Sequence, residues 1–373
     1  MSIQIKEIAT SSDRKKFVNL QFELYKNSPN WVPPLKSDEL KYLSSDTNPA
    51  IKFNKTKFFI AIKDGKVVGR IGAIINEPYN QKVEKKYIRF TKPEFVDDFE
   101  VSKQLIGAVE DYGKSQGMEY IHGPLGFTNL DTQGLLVEGF EHLQSIASVY
   151  HLPYYKDHLD KMGFEKENDW VEFRLTLNQE IIDFGMRGSG LIEKRYGFEV
   201  LKFTKSKDLM PFGEPFFDVF NEAFSVLPYT SPLNDEMKKF YMNKYFNDLN
   251  PRYIRIVRKE GELVGFILPV PSLSKAFQKA NGHLLPFGVF HILKAMKHND
   301  TADFFLTGVR KKFQNSGVAV VLFAHAQKQL LDDGIRYIET TGVFETNNEV
   351  INNWKKYDHI MHKRRRCYVK KIE

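Results

Sequence analysis

The alternation of apolar and polar positions predicts a β-hairpin in each half of the chain. Residues 58–69 read Phe-Phe-Ile-Ala-Ile-Lys-Asp-Gly-Lys-Val-Val-Gly, and residues 253–265 read Tyr-Ile-Arg-Ile-Val-Arg-Lys-Glu-Gly-Glu-Leu-Val-Gly. In both segments an acidic residue and a glycine separate two runs of strand-forming residues, which is typical of a tight turn. The turn glycines, Gly65 and Gly261, lie 261 − 65 = 196 positions apart. The two hairpins therefore indicate an internal repeat.

A second pair of segments supports the repeat. Apolar residues recur at three- and four-residue spacing over 100–116 and again over 318–333, which predicts a helix in each segment. Gly117 and Gly334 follow where these helices would stop, and a similar strand follows each glycine. Each half thus reads hairpin, further strand, helix, strand, helix, strand. This order predicts an α/β fold with a mixed sheet (α+β in character), built as two tandem domains.

The connection between the halves is predicted to be a linker. Residues 184–190 read Phe-Gly-Met-Arg-Gly-Ser-Gly, and no apolar strand leads into these glycines, so they do not fit a dinucleotide-binding turn. We therefore predict an N-terminal domain over 1–178, a linker over 179–198 and a C-terminal domain over 199–373. A chain of 373 residues is long enough for two such domains.

A loop in the second half has the features of an anion site. The apolar run 304–310 predicts a buried strand, and the helix that begins near Val318 follows after a loop that contains Gln314 and Gly317. The first N–H groups of a helix have no partner within the helix, and the helix dipole favours negative charge there. Glycine at such a position lets the backbone approach a ligand closely.

This spacing resembles the Q/R-x-x-G-x-G/A element of the GCN5-related N-acetyltransferases, the GNAT superfamily, whose loop cradles the pyrophosphate of acetyl-CoA. The resemblance implies that acetyl-CoA or another acyl-CoA is bound by the loop residues Gln314, Asn315, Ser316, Gly317, Val318 and Ala319. Asn347, beyond the next strand, matches an asparagine of the family. Trp354 stands where the family often has the tyrosine that protonates the departing thiolate, and Asp358-His359 replaces the family's Gly-Phe.

The first half keeps different parts of the pattern. Its Gly163-Phe164 resembles the Gly-Phe of the family, but no glycine-rich loop precedes the helix at 100–116. Lys-Pro-Glu-Phe-Val-Asp-Asp at 92–98 stands there instead, and its acidic residues would repel a pyrophosphate. We therefore predict that the N-terminal domain lacks the pyrophosphate loop and that the C-terminal domain holds the acyl-CoA site.

The whole chain resembles a bacterial family of tandem GNAT-like N-acyltransferases. The matching stretches occur in order through both halves, at 30–35, 65–76, 123–129, 134–140, 154–155, 281–286, 345–347 and 363–368. The resemblance implies the tandem fold and transfer of an acyl group to an amine, and says little about the substrate.

Acyl transfer to an amine needs a polarised thioester, a base and a departing thiolate. From its place on the strand before the loop, we assign polarisation of the thioester oxygen to the N–H of Val309. Glu339 and Glu345 are the candidate bases, and Tyr357 is the candidate acid. For Glu339 a salt-bridged or solvent-facing carboxylate is the alternative, and for Tyr357 the alternative is helix packing.

Charge and composition narrow the partners only slightly. The chain has 54 Lys and Arg against 47 Asp and Glu, a net charge of +7, which suits an acidic ligand, a nucleic acid or a membrane surface. Cys367 is the one cysteine, which excludes an intrachain disulfide and fits a reducing compartment. No signal peptide and no apolar run of 18 residues is evident, so we expect a cytoplasmic protein without a transmembrane segment. We expect no metal, since His359 and His362 have no third ligand in the pattern.

We therefore expect an N-acyltransferase that moves an acetyl or acyl group from acyl-CoA to a small-molecule or lipid-like amine held between two lobes. An aminoacyl-tRNA-dependent transferase of the cell-wall (Fem-like) type, with tRNA as partner, is one alternative, and a non-catalytic GNAT-like ligand-binding protein is another. Residues 276–297 form an apolar insertion with basic ends. It would line a lipid-like acceptor pocket, rest on a membrane surface, or pack on the domain as an inserted helix.

Overall fold

A computed structural model describes residues 2–246 and 249–373. The fourteen strands found in these residues are β1 Ile3–Glu7, β2 Lys55–Lys63, β3 Lys66–Ile75, β4 Tyr87–Phe95, β5 Tyr120–Gly123, β6 Leu135–Glu138, β7 Glu165–Thr176, β8 Glu199–Lys202, β9 Arg255–Lys259, β10 Glu262–Pro271, β11 Thr301–Val309, β12 Tyr337–Thr340, β13 Val343–Phe344 and β14 Asp358–Lys371.

The helices divide into α-helices and short 3-10 turns. The twelve α-helices of the same residues are α1 Ser11–Leu24, α2 Lys36–Tyr42, α3 Glu77–Val83, α4 Phe99–Ser115, α5 Tyr154–Lys161, α6 Gln179–Tyr196, α7 Gly213–Phe224, α8 Asp235–Tyr245, α9 Ser274–Ala280, α10 Gly288–Lys297, α11 Val318–Asp332 and α12 Asn348–Trp354. The 3-10 helices are Pro49–Phe53, Ser206–Asp208, Met210–Phe212 and Lys311–Phe313. None of the helices in the described residues is both long and apolar enough to cross a bilayer.

The chain divides into two compact units. The first comprises residues 1–171, 274–292 and 362–373, and the second comprises residues 172–273 and 293–361. The predicted boundaries at 178 and 199 follow the repeat in the sequence. The two units have other boundaries, because each includes a strand segment from the other half of the chain. The end of β14 belongs to the first unit, and the end of β7 belongs to the second.

The first unit has strand order β1-β2-β3-β4-β5-β14. The pairs β1-β2, β2-β3 and β3-β4 are antiparallel, the pair β4-β5 is parallel, and the end of β14 is antiparallel to β5. Helix α4 connects β4 to β5 and buries its apolar face in the core of this unit.

The second unit repeats this arrangement with strand order β8-β9-β10-β11-β12-β7. Again the first three pairs, β8-β9, β9-β10 and β10-β11, are antiparallel. The pair β11-β12 is parallel, and the end of β7 is antiparallel to β12. Helix α11 connects β11 to β12 as α4 connects β4 to β5. The predicted α/β repeat is therefore confirmed element by element.

The repeated glycines have the same packing role in both units. A Cβ atom on Gly69 would lie 2.6 Å from Leu105 of α4, and one on Gly265 would lie 2.8 Å from Val318 of α11. In each sheet a side chain at this position would push away the helix that connects the two parallel strands. The distance of 196 residues between these glycines thus reflects a shared helix-on-sheet contact.

The stretch that we predicted as a linker forms helix α6. The side chain of Asn178 caps its N-terminus by accepting the N–H of Glu180 (2.8 Å), and Gly197 ends it with a φ of +69°. Glycines within a helix cost about 0.5–1 kcal/mol each relative to alanine. A Cβ on Gly185 would make an ordinary contact with that of Ala324 on α11 (3.6 Å), and a Cβ on Gly188 or Gly190 would meet none of the described residues within 4 Å. Helix α6 therefore forms despite its glycines, and it packs against α11.

Candidate functional site

The loop between β11 and α11 is open at the helix N-terminus. After β11 the chain makes the 3-10 turn Lys311–Phe313 and then reaches Gly317 with a φ of +84°, a conformation that favours glycine. No side chain caps α11 within the described residues, and Ala319 in its first turn is exposed. The first N–H groups of α11 therefore remain available for an anionic ligand.

The edge of β11 beside this loop is also unpaired. Arg310 donates its N–H to the carbonyl of Val264 on the β10 side (2.9 Å). Because successive N–H groups of a strand point to opposite edges, the N–H of Val309 points away from β10. On that side β12 pairs with β11 only over Thr301–Phe304, and within the residues that the structure describes no other strand lies along Phe305–Val309. The N–H of Val309 thus faces a gap that no described strand fills. At its two ends side chains reach the edge of β11: Gln314 donates to the carbonyl of Val309 (3.4 Å), and Thr341 donates to that of Phe304 (2.8 Å).

Helix α6 forms one wall next to the loop. A Cβ on Gly317 would lie 2.7 Å from Ile192 of α6, so a larger residue at 317 would clash with that helix. A depression of about 280 Å³ remains beside this contact, lined by Leu191, Ile192, Arg195, Tyr196, Asn315, Ser316 and Gly317. Exposed Arg195 brings a positive charge to it. The sequence analysis missed these α6 residues because it predicted a linker there. Asn178 and Gly197, which cap the two ends of α6, were the sequence signals of a helix.

Most of the basic side chains at the start of the loop are already paired. Lys312 forms an ion pair with Glu262 (2.7 Å), and Arg310 forms ion pairs with Glu222 (2.8 Å) and Glu262 (3.1 Å). Glu222 also accepts the backbone N–H of Lys311 (2.6 Å). Any binding of an anion would therefore depend on backbone N–H groups and Arg195 more than on Lys312.

The corresponding helix N-terminus in the first unit is closed by a carboxylate. Asp98 caps α4 by accepting the N–H of Glu100 (3.1 Å) and also accepts from Lys63 (2.7 Å). The hydrogen bond from Lys63 holds the pKa of Asp98 below its ordinary value, so this cap is an anion. An anion of the protein thus occupies the place that α11 leaves free.

The corresponding strand edge in the first unit is closed as well. Phe95 lies opposite Gly69 in the sheet, as Val309 lies opposite Gly265, so the two are counterparts in the repeat. The N–H of Phe95 donates to the hydroxyl oxygen of Tyr155 (3.1 Å), whose ring stacks on that of Phe95. The side chain of Tyr155 therefore fills the place beside Phe95. Among the described residues, the counterpart of that place, beside Val309 in the second unit, has no such side chain.

The Tyr155 hydroxyl belongs to a buried network. It donates to Glu94 (2.8 Å), and the hydroxyl of Tyr25 donates to the same carboxylate oxygen (2.5 Å). Burial raises the pKa of Glu94, although Arg70 at 3.6 Å and the two hydroxyls act in the opposite direction. Burial also raises the pKa of Tyr155 well above its ordinary value, so this tyrosine keeps its proton.

Of the two candidate bases, Glu339 is buried and ion-paired. Its carboxylate accepts from Arg174 of β7 at 2.6 Å, and Asp303 of β11 lies beside it in register. Phe304, the residue after Asp303, contacts Phe323 of α11, so Asp303 and Glu339 lie on the opposite face of the sheet. In the structure Glu339 is therefore salt-bridged, as the alternative to its role as a base expected. The ion pair stabilises the charged carboxylate.

Glu345 and Asn347 lie after the short strand β13. Glu345 is half-buried, and Asn347 is the N-cap of α12, where its side-chain oxygen accepts the N–H of Val350 (3.2 Å). The local role of Asn347 is therefore helix capping. Its predicted role in binding acyl-CoA stays a prediction.

Tyr357 lies away from the loop. Its hydroxyl donates to the side-chain oxygen of Gln327 (2.9 Å), and burial raises its pKa. Gln327 is ten positions beyond Gly317 on α11, which at 1.5 Å per residue is about 15 Å along the helix. The buried ring of Trp354 contacts Phe323 of the same helix. The structure therefore brings Val309 together with the loop residues and leaves Tyr357 deeper along α11.

A separate cluster in the first unit has ligand-like residues. The side chains of His122, Glu167 and Cys367 place their donor atoms within 4.8 Å of one another, a set that could hold a metal ion. The carboxylate lies 3.2 Å from His122 Nδ1 and accepts from the thiol of Cys367 (3.3 Å). Burial lowers the pKa of His122, which favours its neutral form. These contacts also satisfy the three groups as a hydrogen-bonded cluster, and Cys367 is too buried to act as a nucleophile.

Comparison with known proteins finds a family match in the second half of the chain and a similar fold over the whole chain. Residues 215–358 match the model of the acetyltransferase (GNAT) family. The structure superimposes on a tandem GNAT protein from the clavulanic acid biosynthesis pathway with a TM-score of 0.59 and 11% identity, over 100% of this chain and 99% of that one. The chain has the fold of a tandem GNAT protein. The matched region, from α7 to the beginning of β14, contains the loop before α11 and the strand edge beside it, and the match is to a family of acetyltransferases.

Two curated proteins are similar to this chain over most of its length. Protein YghO of Escherichia coli is 25% identical over 380 residues, which cover 99% of this chain and 95% of that protein. A bacterial ceramide synthase of Caulobacter vibrioides is 25% identical over 323 residues, which cover 83% of this chain and 81% of that protein.

Proposed function

We propose that this protein is an N-acyltransferase that moves an acyl group from an acyl-CoA to the amine of a lipid-like acceptor, with formation of an amide. The observation that carries the proposal is the difference between the two units. In the part of the chain that the structure describes, the N–H of Val309 has no strand partner and the N-terminus of α11 has no side-chain cap, whereas Tyr155 and Asp98 fill the corresponding places in the first unit.

The acyl donor fits the open positions of the second unit. The N-terminus of α11 would hold the pyrophosphate, with Arg195 as a further positive charge. The gap along Phe305–Val309 would take the extended pantetheine arm, which can hydrogen-bond to a strand edge as another strand would. In this arrangement the thioester lies beside the N–H of Val309.

The lipid-like acceptor is supported by a relative. A protein named bacterial ceramide synthase is similar to this chain over 83% of its length, and a ceramide is an amide of a fatty acid and a long-chain amine. The chemistry is the same for any amine acceptor: the nitrogen attacks the carbonyl carbon, the C–N bond forms, and the C–S bond breaks with its electron pair on sulfur. One proton leaves the nitrogen, and CoA departs as thiolate or thiol.

Two groups would assist this reaction. The N–H of Val309 would stabilise the negative charge that develops on the carbonyl oxygen. Glu339 lies on the sheet face opposite α11 and would take the proton of the amine, directly or through water. The acyl-CoA would enter the gap from the sheet face that carries α11. The amine would enter from the opposite face, where Glu339 lies.

The test is an assay with acyl-CoAs of several chain lengths and either a long-chain amino alcohol or a short soluble amine. Release of the CoA thiol and the mass of the amide are measured together. Amide formation with the long-chain amine is the expected result. Thiol release without amide, or no reaction of a folded protein with any acyl-CoA, would contradict the proposal.

Ala319→Glu is expected to weaken acyl-CoA binding about tenfold, because a carboxylate in the first turn of α11 would repel the pyrophosphate. An acidic side chain in the first turn of a helix interacts favourably with the helix dipole, so the variant is expected to fold. Calorimetry with the acyl-CoA checks the affinity. Ala319→Gln, of equal size and without charge, is the matched control, and equal affinities of the two variants would place the pyrophosphate elsewhere.

Glu339→Gln is expected to lower kcat about 10²-fold, at the low end for a general base because Arg174 stabilises the carboxylate and makes it a weak base. Steady-state kinetics with the soluble amine measures the loss. Glu345→Gln, at the other candidate base, is the comparison variant, and a loss of kcat there instead would assign the proton transfer to Glu345. An unchanged kcat in Glu339→Gln would remove this residue from the reaction.

A further inference from the structure

The inserted segment 274–297 exposes a cluster of large apolar side chains. The exposed fractions are 74% for Leu285, 71% for Phe287, 65% for Phe290 and 51% for Leu293. On α10 only Gly288 is buried. We call these four side chains the apolar surface. The expectation that the insertion packs on the domain holds for α9, which buries three of its residues, and not for α10.

The base of the insertion is fixed to the first unit. Gln278 donates to the carbonyls of Pro29 (2.7 Å) and Trp31 (3.0 Å), and Lys36 donates its N–H to the carbonyl of Gly282 (2.9 Å). The backbone at Gly282 approaches Phe22 so closely that a Cβ would lie 2.5 Å from its ring. The apolar surface is therefore presented by an anchored segment.

The charges of the same segment all have one sign. From Ser272 to Asn299 the sequence has no aspartate or glutamate, although acidic residues make up 47 of the 373 residues of the chain. The segment instead carries four lysines, all exposed: Lys275, Lys279, Lys294 and Lys297. Within the described residues none of the four forms an ion pair. The segment that carries the apolar surface thus has positive charge only.

We propose that the apolar surface docks onto an anionic lipid bilayer. Large apolar side chains that are flanked by lysines bind membranes by entering the boundary between headgroups and acyl chains, while the ammonium groups meet the lipid phosphates. The charge decides for an anionic bilayer over a neutral one and over a second copy of this chain, whose like-charged lysines would be brought together.

Docking at a bilayer would give the enzyme access to an acceptor that water does not dissolve. A long-chain amine is held in the membrane, and an enzyme that lies on the surface meets it at high local concentration. This part of the inference rests on the proposed function, whereas the docking itself does not.

Vesicle co-sedimentation tests the docking. The full chain is mixed with phosphatidylcholine vesicles that contain phosphatidylglycerol, and the bound fraction is measured. The double variant Phe287→Ser with Phe290→Ser is expected to bind at least about tenfold more weakly, since two large apolar side chains are lost. Phe184→Ser is the matched control, because Phe184 on α6 is 72% exposed and lies outside the insertion.

A second pair of variants tests the charge. Lys294→Gln and Lys297→Gln are each expected to weaken binding to the phosphatidylglycerol vesicles about fivefold and to leave binding to pure phosphatidylcholine unchanged. Added salt should reduce the binding of the parent protein in the same way.

Three results would overturn the docking: a folded protein that binds no vesicles, equal binding of the double variant and the parent, or equal losses in the double variant and Phe184→Ser. A dimer in sedimentation velocity that the double variant converts to monomers would assign the surface to a second copy instead. Activity on the short soluble amine without vesicles separates the two proposals. Absence of reaction with both the soluble and the long-chain amine, together with intact vesicle binding, would contradict the transferase and leave the docking standing.

Discussion

Replacement of Val309 by proline is expected to lower kcat for acyl transfer about 10³-fold, the upper part of the range for loss of one oxyanion donor. The N–H of Val309 points away from β10 into the gap beside α11. Proline removes this donor and places a Cδ atom where the carbonyl oxygen would lie. Single-turnover measurements with a saturating acyl-CoA and the soluble amine isolate the chemical step.

Val309→Ala is the control for this variant. It keeps the N–H and shortens a half-buried side chain, so kcat should stay close to that of the parent protein. Proline is tolerated at strand edges where the N–H has no strand partner, and thermal unfolding would show that the variant folds. A folded proline variant as active as the alanine variant would mean that another group polarises the thioester.

The fold could be predicted because its repeat is local and periodic. The hairpins, the helix ends with positive φ at Gly117 and Gly334, and the close helix contacts at Gly69 and Gly265 are features that both copies of the unit share. Such positions keep their residue type in both halves of one sequence. The strands and helices predicted from them occur in the predicted order.

The helix α6 could not be predicted from composition alone. Glycines such as Gly185 are typical of a flexible stretch, and the helix that packs against α6 is α11, a segment far along the chain. Arg195 and Ile192, which lie beside the loop, were missed for the same reason.

The site was predictable only in part. The loop from Gln314 to Ala319 and the strand position of Val309 follow from sequence spacing, and the structure brings them together. The pairing of Glu339 with Arg174 and that of Tyr357 with Gln327 depend on contacts between distant segments. No local pattern encodes such contacts, so the roles proposed for these residues need the measurements given above.

Tyr155→Ala is expected to lower the free energy of unfolding by about 3–5 kcal/mol, as for removal of a buried aromatic side chain. The ring of Tyr155 is fully buried against Phe95, and its hydroxyl contacts both the N–H of Phe95 and Glu94. Urea unfolding measures the loss. Tyr155→Phe keeps the ring and is expected to lose only about 1–3 kcal/mol, the cost of leaving buried polar groups without their partner.

The same two variants decide whether the first unit takes part in the chemistry. If Tyr155 only closes the strand edge, kcat per folded molecule stays that of the parent in Tyr155→Phe, even though its stability falls. In Tyr155→Ala the opened gap beside Phe95 still lacks a free helix N-terminus, since Asp98 keeps its place on α4. No second acyl-CoA site should therefore appear in calorimetry. A folded Tyr155→Phe variant that has lost acyl transfer would instead place the reaction, or part of it, in the first unit.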